Sequence, residues 1–434
     1  MASQQVRPSL LQQFLRGSIA ASASLLCALP AASLAQAPAS PPAAVAAAPA
    51  LSLEDCLRIG RENQPAMKAA QASLAAAQTA QRSLDEIRLG KFLAKDLPIR
   101  KQQAAFGVSA AAANLAQVER DVDCSIVRTY YSVLYAREQK KVADQIILRL
   151  RAVVANGETL LGKEGAPADL TPLTVGRAKE VLVQVEGRGD QVNAGLQLAT
   201  AGLREAIGVG PDFRFTVAEG KLPEPLPGVN KDQIIRLAIS LRGEVQQAQS
   251  AAYITRLEVQ AQAATRMVMG SSAARGGDMH VKPIPTGSFG DDYKPGAIGL
   301  DFPSLFVGPR ETRMQRACEL SGRSDAAAEK ARNLVALDAE DAFLRWEEAF
   351  AKMGRYSKGA AAGDALGKRA ISALESGVIQ SYRDVLEILI LVAQNQAHLN
   401  EARYNHAVAL TELERVTGGG FAAGAAIPRP ASQP

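Results

Sequence analysis

The sequence predicts a mainly α-helical fold made of two similar halves with very long helices. Its 434 residues are only 5% aromatic, and Ala, Leu, Gln, Glu, Lys and Arg are abundant, which is typical of helices that pack closely through small side chains. Helical periodicity persists over stretches of about 60 residues, which would measure about 90 Å at 1.5 Å per residue. An internal repeat is the third observation that supports this fold class.

The internal repeat relates the two halves through two offsets. An offset of 178 residues places Arg58 on Arg236, and an offset of 213 places "RKQQA" (100–104) on "RMQRA" (313–317). The halves also end alike, in "LREAIGVG" and "LERVTGGG". The predicted boundaries are 51–209 for the first helical repeat, 210–229 for the inter-repeat linker and 230–418 for the second helical repeat.

Three helical stretches are predicted in each repeat, separated by segments rich in Gly, Pro and Ser. They are 51–90, 98–161 and 169–208 in the first repeat, and 230–267, 310 to about 376 and 381–417 in the second. Within the second stretch, four apolar residues at helical spacing predict a core stripe. These are Val122, Ile126, Tyr130 and Val133.

The last helix carries a coiled-coil seam of nine positions that alternate in steps of four and three residues from Val385 to Leu413. Gln396, Arg403 and His406 interrupt this seam with polar side chains. A dry two-stranded coiled coil would tolerate them poorly, so the pattern favours helices that line a wet channel.

The termini indicate export. Arg7 and Arg16 precede a short apolar run that ends in small residues, which predicts a signal peptide over 1–35 with cleavage after Ala35. Leu26 stands directly before Cys27, where a lipid anchor would need a small residue. A Pro/Ala linker (36–50) and a flexible C-terminal tail (419–434) flank the repeats.

An insertion distinguishes the second repeat. The two offsets differ by 35 residues, which fall at about 268–308 and are rich in Gly, Pro and Asp at their centre. Residues 297–302 alternate as in a half-buried strand. Because a membrane-spanning barrel strand needs about 9–11 residues, the insertion can hold one hairpin. The equivalent connection of the first repeat, 88–98, is too short for two spanning strands.

Four segments, in order, resemble the TolC-type outer-membrane efflux protein family over about 51–418. The opening helix "LSLEDCLRIGRENQPAMKAAQASLAAA" and the strand-to-helix junction "DFPSLFVGPRETRMQRA" are two of them. The other two are the return helix "RTYYSVLYAREQ" and the closing helix "SYRDVLEILILVAQNQAHLNEARYNHAVALTELERVTG". The sequence departs from the family in lacking the β-hairpin of the first repeat.

The resemblance implies a homotrimer whose helices form a periplasmic cylinder beneath an outer-membrane β-barrel. It further implies a passive exit duct, without enzymatic activity or cofactor, that docks to a periplasmic adaptor protein and an inner-membrane efflux pump or ABC exporter. With one hairpin per protomer, a trimer would have a barrel of six strands. Even an eight-stranded barrel has an interior that its own side chains fill, so six strands would leave no open pore. A periplasmic coiled-coil scaffold without a pore, or a degenerate homologue, is therefore the alternative. The adaptor itself fits less well, because adaptors carry a single helical hairpin between β domains.

The resemblance also implies an acidic aperture at the inner end of the duct. The matching positions are Asp169, Asp384 and Glu387, and threefold symmetry would turn each into a carboxylate ring that favours cations. Asp384 and Glu387 share one helical face because they are three residues apart. The alternatives are a helix N-cap for Asp169 and a solvated face for the other two.

Other chemistry finds little support in the sequence. Basic and acidic residues are interspersed at a net charge of +5, which gives no nucleic-acid-binding patch. "GETLLGK" (157–163) approaches a phosphate-binding loop but continues with Glu164 instead of Ser or Thr. The histidines have no metal-ligand spacing, and the cysteines that remain after cleavage are expected to be isolated buried thiols. The histidines are His280, His398 and His406, and the cysteines are Cys56, Cys124 and Cys318.

Overall fold

The computed structural model describes residues 49–87, 95–163, 166–225, 228–265, 306, 308–375 and 381–421. Eight α-helices lie in these segments. In chain order they are α1 (Leu53–Asn63), α2 (Pro65–Asp85), α3 (Leu97–Leu160), α4 (Pro172–Ala206), α5 (Lys231–Leu241), α6 (Gly243–Ala264), α7 (Arg310–Glu375) and α8 (Tyr382–Val416).

The long helices follow the predicted boundaries closely. Helices α3 and α7 contain 64 and 66 residues, which correspond to a length of about 100 Å each. Helices α4 and α8 contain 35 residues each. The prediction of a mainly α-helical fold with duplicated long helices is confirmed.

The prediction of one continuous helix at the start of each repeat is wrong. The first stretch divides at Gln64 into α1 and α2, and its counterpart divides at Arg242 into α5 and α6. Both residues have extended backbone, with φ/ψ of −62°/122° and −73°/135°. They are separated by the same offset that relates Arg58 to Arg236, so the two repeats break at equivalent positions.

The break at Gln64 has a local cause and a long-range cause. Pro65 has no N–H to donate and disfavours helical backbone in the residue before it. The Gln64 side-chain amide then donates to the carbonyl oxygens of Glu205 and Ala206, at 3.3 and 3.0 Å. These carbonyls end α4, so the break in one helix satisfies the unpaired acceptors of another.

The helices lie side by side in a layer that α3 and α7 cross from end to end. Helices α2 and α4 pack against α3, and α6 and α8 each pack against both α3 and α7. Helices α3 and α8 run antiparallel. Tyr382 at the start of α8 contacts Val153 near the end of α3, whereas Glu412 near the end of α8 lies beside Cys124 of α3.

Three apolar clusters stabilise this layer. The first joins α1, α3 and α4, the second joins α3, α4 and α8, and the third joins α5, α7 and α8. The core stripe predicted on α3 is buried in the first cluster, which confirms that prediction. Its members are Val122, Ile126, Tyr130 and Val133.

Two glycines with positive φ end the repeats in the same way. Gly208 (φ 68°) follows α4, and Gly418 (φ 65°) follows α8. A Cβ at Gly208 would lie 2.9 Å from backbone atoms of Asn63 and Gln64, and a Cβ at Gly418 would lie 2.9 Å from Leu241. Each repeat therefore ends in a glycine that packs against its own helix break, and other residues would be strained and crowded there.

A short parallel strand pair joins the start of the first repeat to the inter-repeat linker. Strand β1 (Ala50–Leu51) pairs with β2 (Thr216–Val217), with Ala50 opposite Thr216. Arg137 of α3 donates to the carbonyl oxygens of Val217 and Ala218, at 2.6 and 3.3 Å. The linker is thereby held against α3.

At the opposite end of the first repeat, the end of α2 and the start of α3 lie together. Lys101 Nζ donates to the carbonyl oxygen of Asp85 at 3.2 Å and lies 3.4 Å from its carboxylate. Residues 86–96 connect these two helices. Two membrane-spanning strands of about 9–11 residues each would need more residues than this connection contains.

Several sequence predictions fall outside the described residues. These are the signal peptide (1–35), nearly all of the Pro/Ala linker (36–50), most of the tail (419–434) and the hairpin insertion (268–308) apart from Phe306 and Gly308.

Among the described helices, none is both long enough and apolar enough to cross a membrane.

Candidate functional site

The candidate site lies at the N-terminal end of α8. Asp169, in the connection between α3 and α4, reaches across to this end of the second repeat. Its carboxylate accepts hydrogen bonds from the Ser381 hydroxyl at 2.9 Å and from the backbone N–H groups of Tyr382 and Arg383 at 3.0 and 2.9 Å. Asp169 therefore satisfies donors that the first turn of α8 leaves unpaired.

Helix α4, which directly follows Asp169, has its own cap. The Thr171 hydroxyl accepts the backbone N–H of Thr174 at 3.2 Å, and the Thr174 hydroxyl accepts the N–H of Thr171 in return. Asp169 therefore adds to the Ser381 cap of the other repeat's helix, and the helix that follows it in the chain is capped by Thr171 instead.

The same contacts hold the pKa of the Asp169 carboxyl below its usual value. Burial acts to raise this pKa, but hydrogen bonds from the N–H groups of Arg383 and Tyr382 and from the Ser381 hydroxyl lower it by more. The partial positive charge at a helix N-terminus favours an anion in the same way. Asp169 is therefore a carboxylate at neutral pH that joins the two repeats.

Tyr382 makes the second contact between the repeats at this end. Its ring is buried, and its hydroxyl donates to the carbonyl oxygen of Val153 in α3 at 2.9 Å. Burial raises the pKa of Tyr382 to about 12, which keeps the phenol protonated as a donor. Gly157 makes room for it, because a Cβ at Gly157 would lie 2.6 Å from the phenol oxygen. The glycine of the near-match "GETLLGK" therefore serves helix packing.

Asp384 and Glu387 are exposed on one face of the first turns of α8. Glu387 accepts a hydrogen bond from Arg383 Nε at 2.9 Å, which partly neutralises its charge. The backbone N–H of Asp384 donates to the Ser381 hydroxyl at 3.2 Å, and its carboxylate has no ion pair within the described chain. The structure thus brings all three predicted residues to the N-terminal end of α8. The Asp169 carboxylate is hydrogen-bonded to the start of this helix, whereas Asp384 and Glu387 are exposed to solvent.

Sequence reasoning misses the residues that hold this end in place. It does not single out Tyr382, and the partners of Asp169 lie more than 200 positions away, at separations of 212 to 214 residues. The spacing of Ser381 and Asp384 is a visible helix-start signal. Nothing in the sequence indicates that Asp169, from the other repeat, also accepts hydrogen bonds from the first turn of α8.

A buried group of charges lies where the α5–α6 break meets α7 and α8. The Arg242 side chain is fully buried and pairs with Glu244, at 2.6 Å, and with Asp338. Asp338 also accepts from Arg415 at 3.1 Å, and Arg415 pairs with Glu412. Burial acts to raise the pKa of Asp338, but the two guanidinium groups lower it by more, so it stays below its usual value.

Gly243 completes this junction because its missing side chain lets α6 approach α3. A Cβ at Gly243 would collide with the carbonyl oxygen of Ala113. Three members of the charged group, Asp338, Glu412 and Arg415, line a groove of about 890 Å³ between α3, α7 and α8. The groove is also lined by hydroxyl groups of α3, at Ser125, Thr129 and Ser132.

The polar residues of the α8 seam lie in three different environments. Arg403 is exposed, and Gln396 is half-buried and donates to Asp364 at 3.2 Å. His406 is fully buried, and neither ring nitrogen has a hydrogen-bond partner among the described residues. Burial lowers the pKa of His406. The prediction that the polar seam residues face a wet channel is therefore wrong for His406.

The remaining histidines and the cysteines show no catalytic or metal-binding arrangement in the described part of the chain. His398 is partly exposed with Nδ1 3.6 Å from Glu401, and His280 lies outside the described residues. Burial raises the pKa of Cys56 and Cys124 to about 12, as expected of buried thiols, but Cys318 is exposed, so that prediction is wrong for it. Within the described ranges, no group of three or more His, Cys, Asp or Glu could hold a metal ion.

The fold is similar to that of solved membrane proteins, although the sequence comparisons find no match. No family model matches the chain, and no curated protein sequence matches it. Solved structures do match. A membrane protein from Pseudomonas aeruginosa is 14% identical with a TM-score of 0.64, and the match covers 84% of this chain and 93% of that one.

Two named outer-membrane proteins are similar to the same extent. The outer membrane protein VceC of Vibrio cholerae is 15% identical with a TM-score of 0.62, covering 85% of this chain and 96% of that one. The open MtrE outer membrane channel of Neisseria gonorrhoeae is 13% identical with a TM-score of 0.63, covering 86% and 90%. The chain therefore has the fold of these outer-membrane proteins and channels, as the resemblance in its sequence predicts.

Proposed function

We propose that this chain is one subunit of a passive outer-membrane duct for efflux or type I secretion, and not an enzyme. The observation that carries the proposal is the fold, a layer of helices up to about 100 Å long that matches a solved outer-membrane protein and a solved outer-membrane channel along most of its length. A single layer has two free edges, so the chain needs further copies of itself to enclose a lumen.

The α4 edge supports self-association. Leu173, Val183 and Leu198 are 82%, 62% and 75% exposed, although α4 is otherwise packed against α3. Gly176, Glu180 and Gly187 share this face at spacings of three and four residues. Large apolar side chains at coiled-coil spacing on one exposed face are typical of a helix that packs against another chain.

The α7 edge offers the second half of such an interface. Leu344 and Leu366 are exposed there, and the positions between them at helical spacing carry Glu348, Ala351, Arg355, Lys358 and Ala362. Lys358 lies on this face, whereas Glu180 lies on the face of α4, so the charges are complementary. Packing α7 of one copy against α4 of the next is a head-to-tail contact, which closes into a ring when the rotation fits. We propose a homotrimer.

The end of the layer that carries Asp169 would face the inner membrane. We propose that it docks to a periplasmic adaptor protein, which connects it to an inner-membrane efflux pump or ABC exporter. The exposed Asp384 and Glu387 of three copies would surround the opening there and favour cations. Asp169 would act differently, by holding the end of α8 against the first repeat.

The contact between Asp85 and Lys101 favours a second candidate function. Because these residues lie together, only residues 86–96 connect α2 and α3, and these are too few for a membrane-spanning hairpin. Each protomer of a trimer would therefore contribute only one hairpin to a barrel. A periplasmic coiled-coil scaffold without a pore would have no need of the missing strands. The proposed location is the outer membrane and periplasm for the duct, and the periplasm alone for the scaffold.

Membrane fractionation combined with chemical cross-linking tests the proposal. We expect the mature chain in the outer-membrane fraction and a cross-linked product of three chains. Val183→Glu and Leu198→Glu serve as interface variants and should abolish the trimer, because each places a charge within the exposed apolar face of α4. Glu224→Gln, in the linker, is the control. A monomer in the soluble periplasmic fraction would contradict the duct.

A further inference from the structure

A second groove lies on the other face of the helical layer, under the inter-repeat linker. Its volume is about 650 Å³, within the range of small-molecule sites. Asn405 of α8 lines the charged groove and Arg403 lines this one, and residues two apart point about 200° from each other around a helix. The two grooves are therefore separate, and this one plays no part in the proposed duct.

The floor of this groove is apolar. It is formed by Leu134 and Tyr135 of α3, Phe350 and Met353 of α7, and Leu399 of α8. The linker segment 220–225 forms one wall. Flexible Leu and Met side chains beside aromatic rings can pack against an alkyl chain or a similar flexible apolar group of a ligand.

Some of the polar side chains that line the groove have partners within the chain and others do not. Glu138 is bound by Lys141 at 2.7 Å, which neutralises it. Arg403 and Lys221 also line the groove, and neither has an ion pair or hydrogen bond within the described chain. Glu224 on the same wall can neutralise at most one of these two cations. At least one cationic donor therefore remains for an anionic head group of a ligand.

We propose that this groove, named here the linker groove (Leu134, Tyr135, Phe350, Met353, Leu399 and Arg403), binds a small amphiphilic carboxylate. The apolar body lies on the floor between α3, α7 and α8, and the carboxylate accepts hydrogen bonds from the Arg403 guanidinium. The ligand touches both repeats and the linker at once, so its binding stabilises their junction.

Titration calorimetry with octanoate tests the proposal on the full mature chain, purified in a non-ionic detergent with a matched detergent blank. Octylammonium, which has the same chain and the opposite charge, is the comparison ligand. Trp346, the single tryptophan of the sequence, stacks on Phe350 with ring centroids 5.5 Å apart. Its fluorescence therefore reports whether a bound ligand lies against the groove.

Two variants locate the site. Arg403→Gln removes the cation from an exposed position and should weaken octanoate binding about tenfold, the loss expected for a charge-assisted hydrogen bond. Gly354→Leu should abolish binding, because Gly354 lines the groove and a Cβ there meets no atom within 4 Å. Arg355→Gln, an exposed arginine beside it that does not line the groove, is the matched control.

The proposal predicts saturable octanoate binding with a change in Trp346 fluorescence, weaker binding of octylammonium, and unchanged affinity in Arg355→Gln. Circular dichroism confirms that each variant is folded. No saturable heat, equal affinity for octanoate and octylammonium, or an Arg403→Gln variant that binds octanoate as the parent does would overturn it.

Discussion

The Asp169 carboxylate accepts the backbone N–H of Tyr382 at 3.0 Å, although the two residues are 213 positions apart in the sequence. This bond joins the α3–α4 connection of the first repeat to the start of α8 in the second. It makes the start of α8 one of the places where the two repeats contact each other, and it lies next to the exposed carboxylates that we propose for the aperture.

Replacing Asp169 by Ala should loosen the start of α8. The variant loses an N-cap that serves two backbone N–H groups, a change worth about 1–2 kcal/mol. Hydrogen exchange at Tyr382 and Arg383 should therefore become faster, while exchange at mid-helix residues of α8 stays unchanged. Asp144→Ala is the control because Asp144 is exposed and pairs only with Lys140 on its own helix. Equal exchange in the variant and the parent would rule out the cap.

The Asp169 contact should also depend on pH. The folded state lowers the pKa of this carboxyl, so its stabilising contribution is complete above the unfolded value of about 3.9 and is lost as the pH falls through the lower folded value. Acid unfolding of the parent and of Asp169→Asn should therefore differ in that window. Identical acid-unfolding curves would contradict the lowered pKa.

Replacing Gly157 by Ala should destabilise the protein, whereas the same replacement at a helical glycine with free space around it should stabilise the protein. The added Cβ would lie 2.6 Å from the Tyr382 phenol oxygen and displace the donor to the buried Val153 carbonyl, which costs about 1–3 kcal/mol. Gly195→Ala, where a Cβ meets nothing within 4 Å, should instead stabilise by about 0.5–1 kcal/mol. Denaturant unfolding of both variants measures the contrast, and a neutral Gly157→Ala would show that Tyr382 is not confined.

Removing the Asp338 carboxylate should be severe. Asp338→Ala leaves the fully buried Arg242 without one of its two acidic partners, and breaking a buried pair in this way costs about 3–5 kcal/mol. Asp144→Ala breaks an exposed pair and should cost about 0–1 kcal/mol. A loss below about 1 kcal/mol for Asp338→Ala in chemical denaturation would mean that the buried charges are solvated.

His406 should make the protein less stable in mild acid. Burial lowers its folded pKa, so the unfolded state binds more protons as the pH falls below about 6.5, and stability falls with it. His406→Leu removes this dependence together with two unpartnered buried nitrogens, which should stabilise by about 1–3 kcal/mol. His398→Gln, at a partly exposed site, is the control. Parallel stability–pH curves for the parent and His406→Leu would refute the assignment.

Asp384 and Glu387 should contribute unequally to ion selectivity. Glu387 is paired with Arg383 on its own helix, whereas the Asp384 carboxylate has no ion pair in the described chain. In planar bilayers, Asp384→Asn should therefore reduce the preference for cations more than Glu387→Gln does. A larger effect of Glu387→Gln, or no effect of either variant, would contradict an aperture lined by these acids.

Much of this fold is predictable because strong local signals mark the long helices. Pro98 at the start of α3, Gly308–Pro309 before α7 and Ser381 before α8 place each boundary within about one residue of its observed position. The break at Pro65 also has a local signal, which the continuing helical periodicity obscures. The break at Arg242 has only the weaker signal of Gly243, and buried ion pairs and the close approach of Gly243 to Ala113 accompany it.

The candidate site is predictable only in part. The positions of Asp169, Asp384 and Glu387 at one end of the layer follow from the family resemblance and the duplicated pattern. The role of Asp169 as a cap for α8 does not, because it depends on how the two repeats pack. The environment of His406 escapes prediction for the same reason, since a polar residue in a seam can be wet or buried according to which helices cover it.

Planar-bilayer recording of the purified mature protein tests the central claim most directly. If the chain is a duct subunit, its trimers should give discrete single-channel conductances that prefer cations over anions, with the preference reduced in the double variant Asp384→Asn/Glu387→Gln. A trimeric protein that never conducts would contradict the duct and support the periplasmic scaffold.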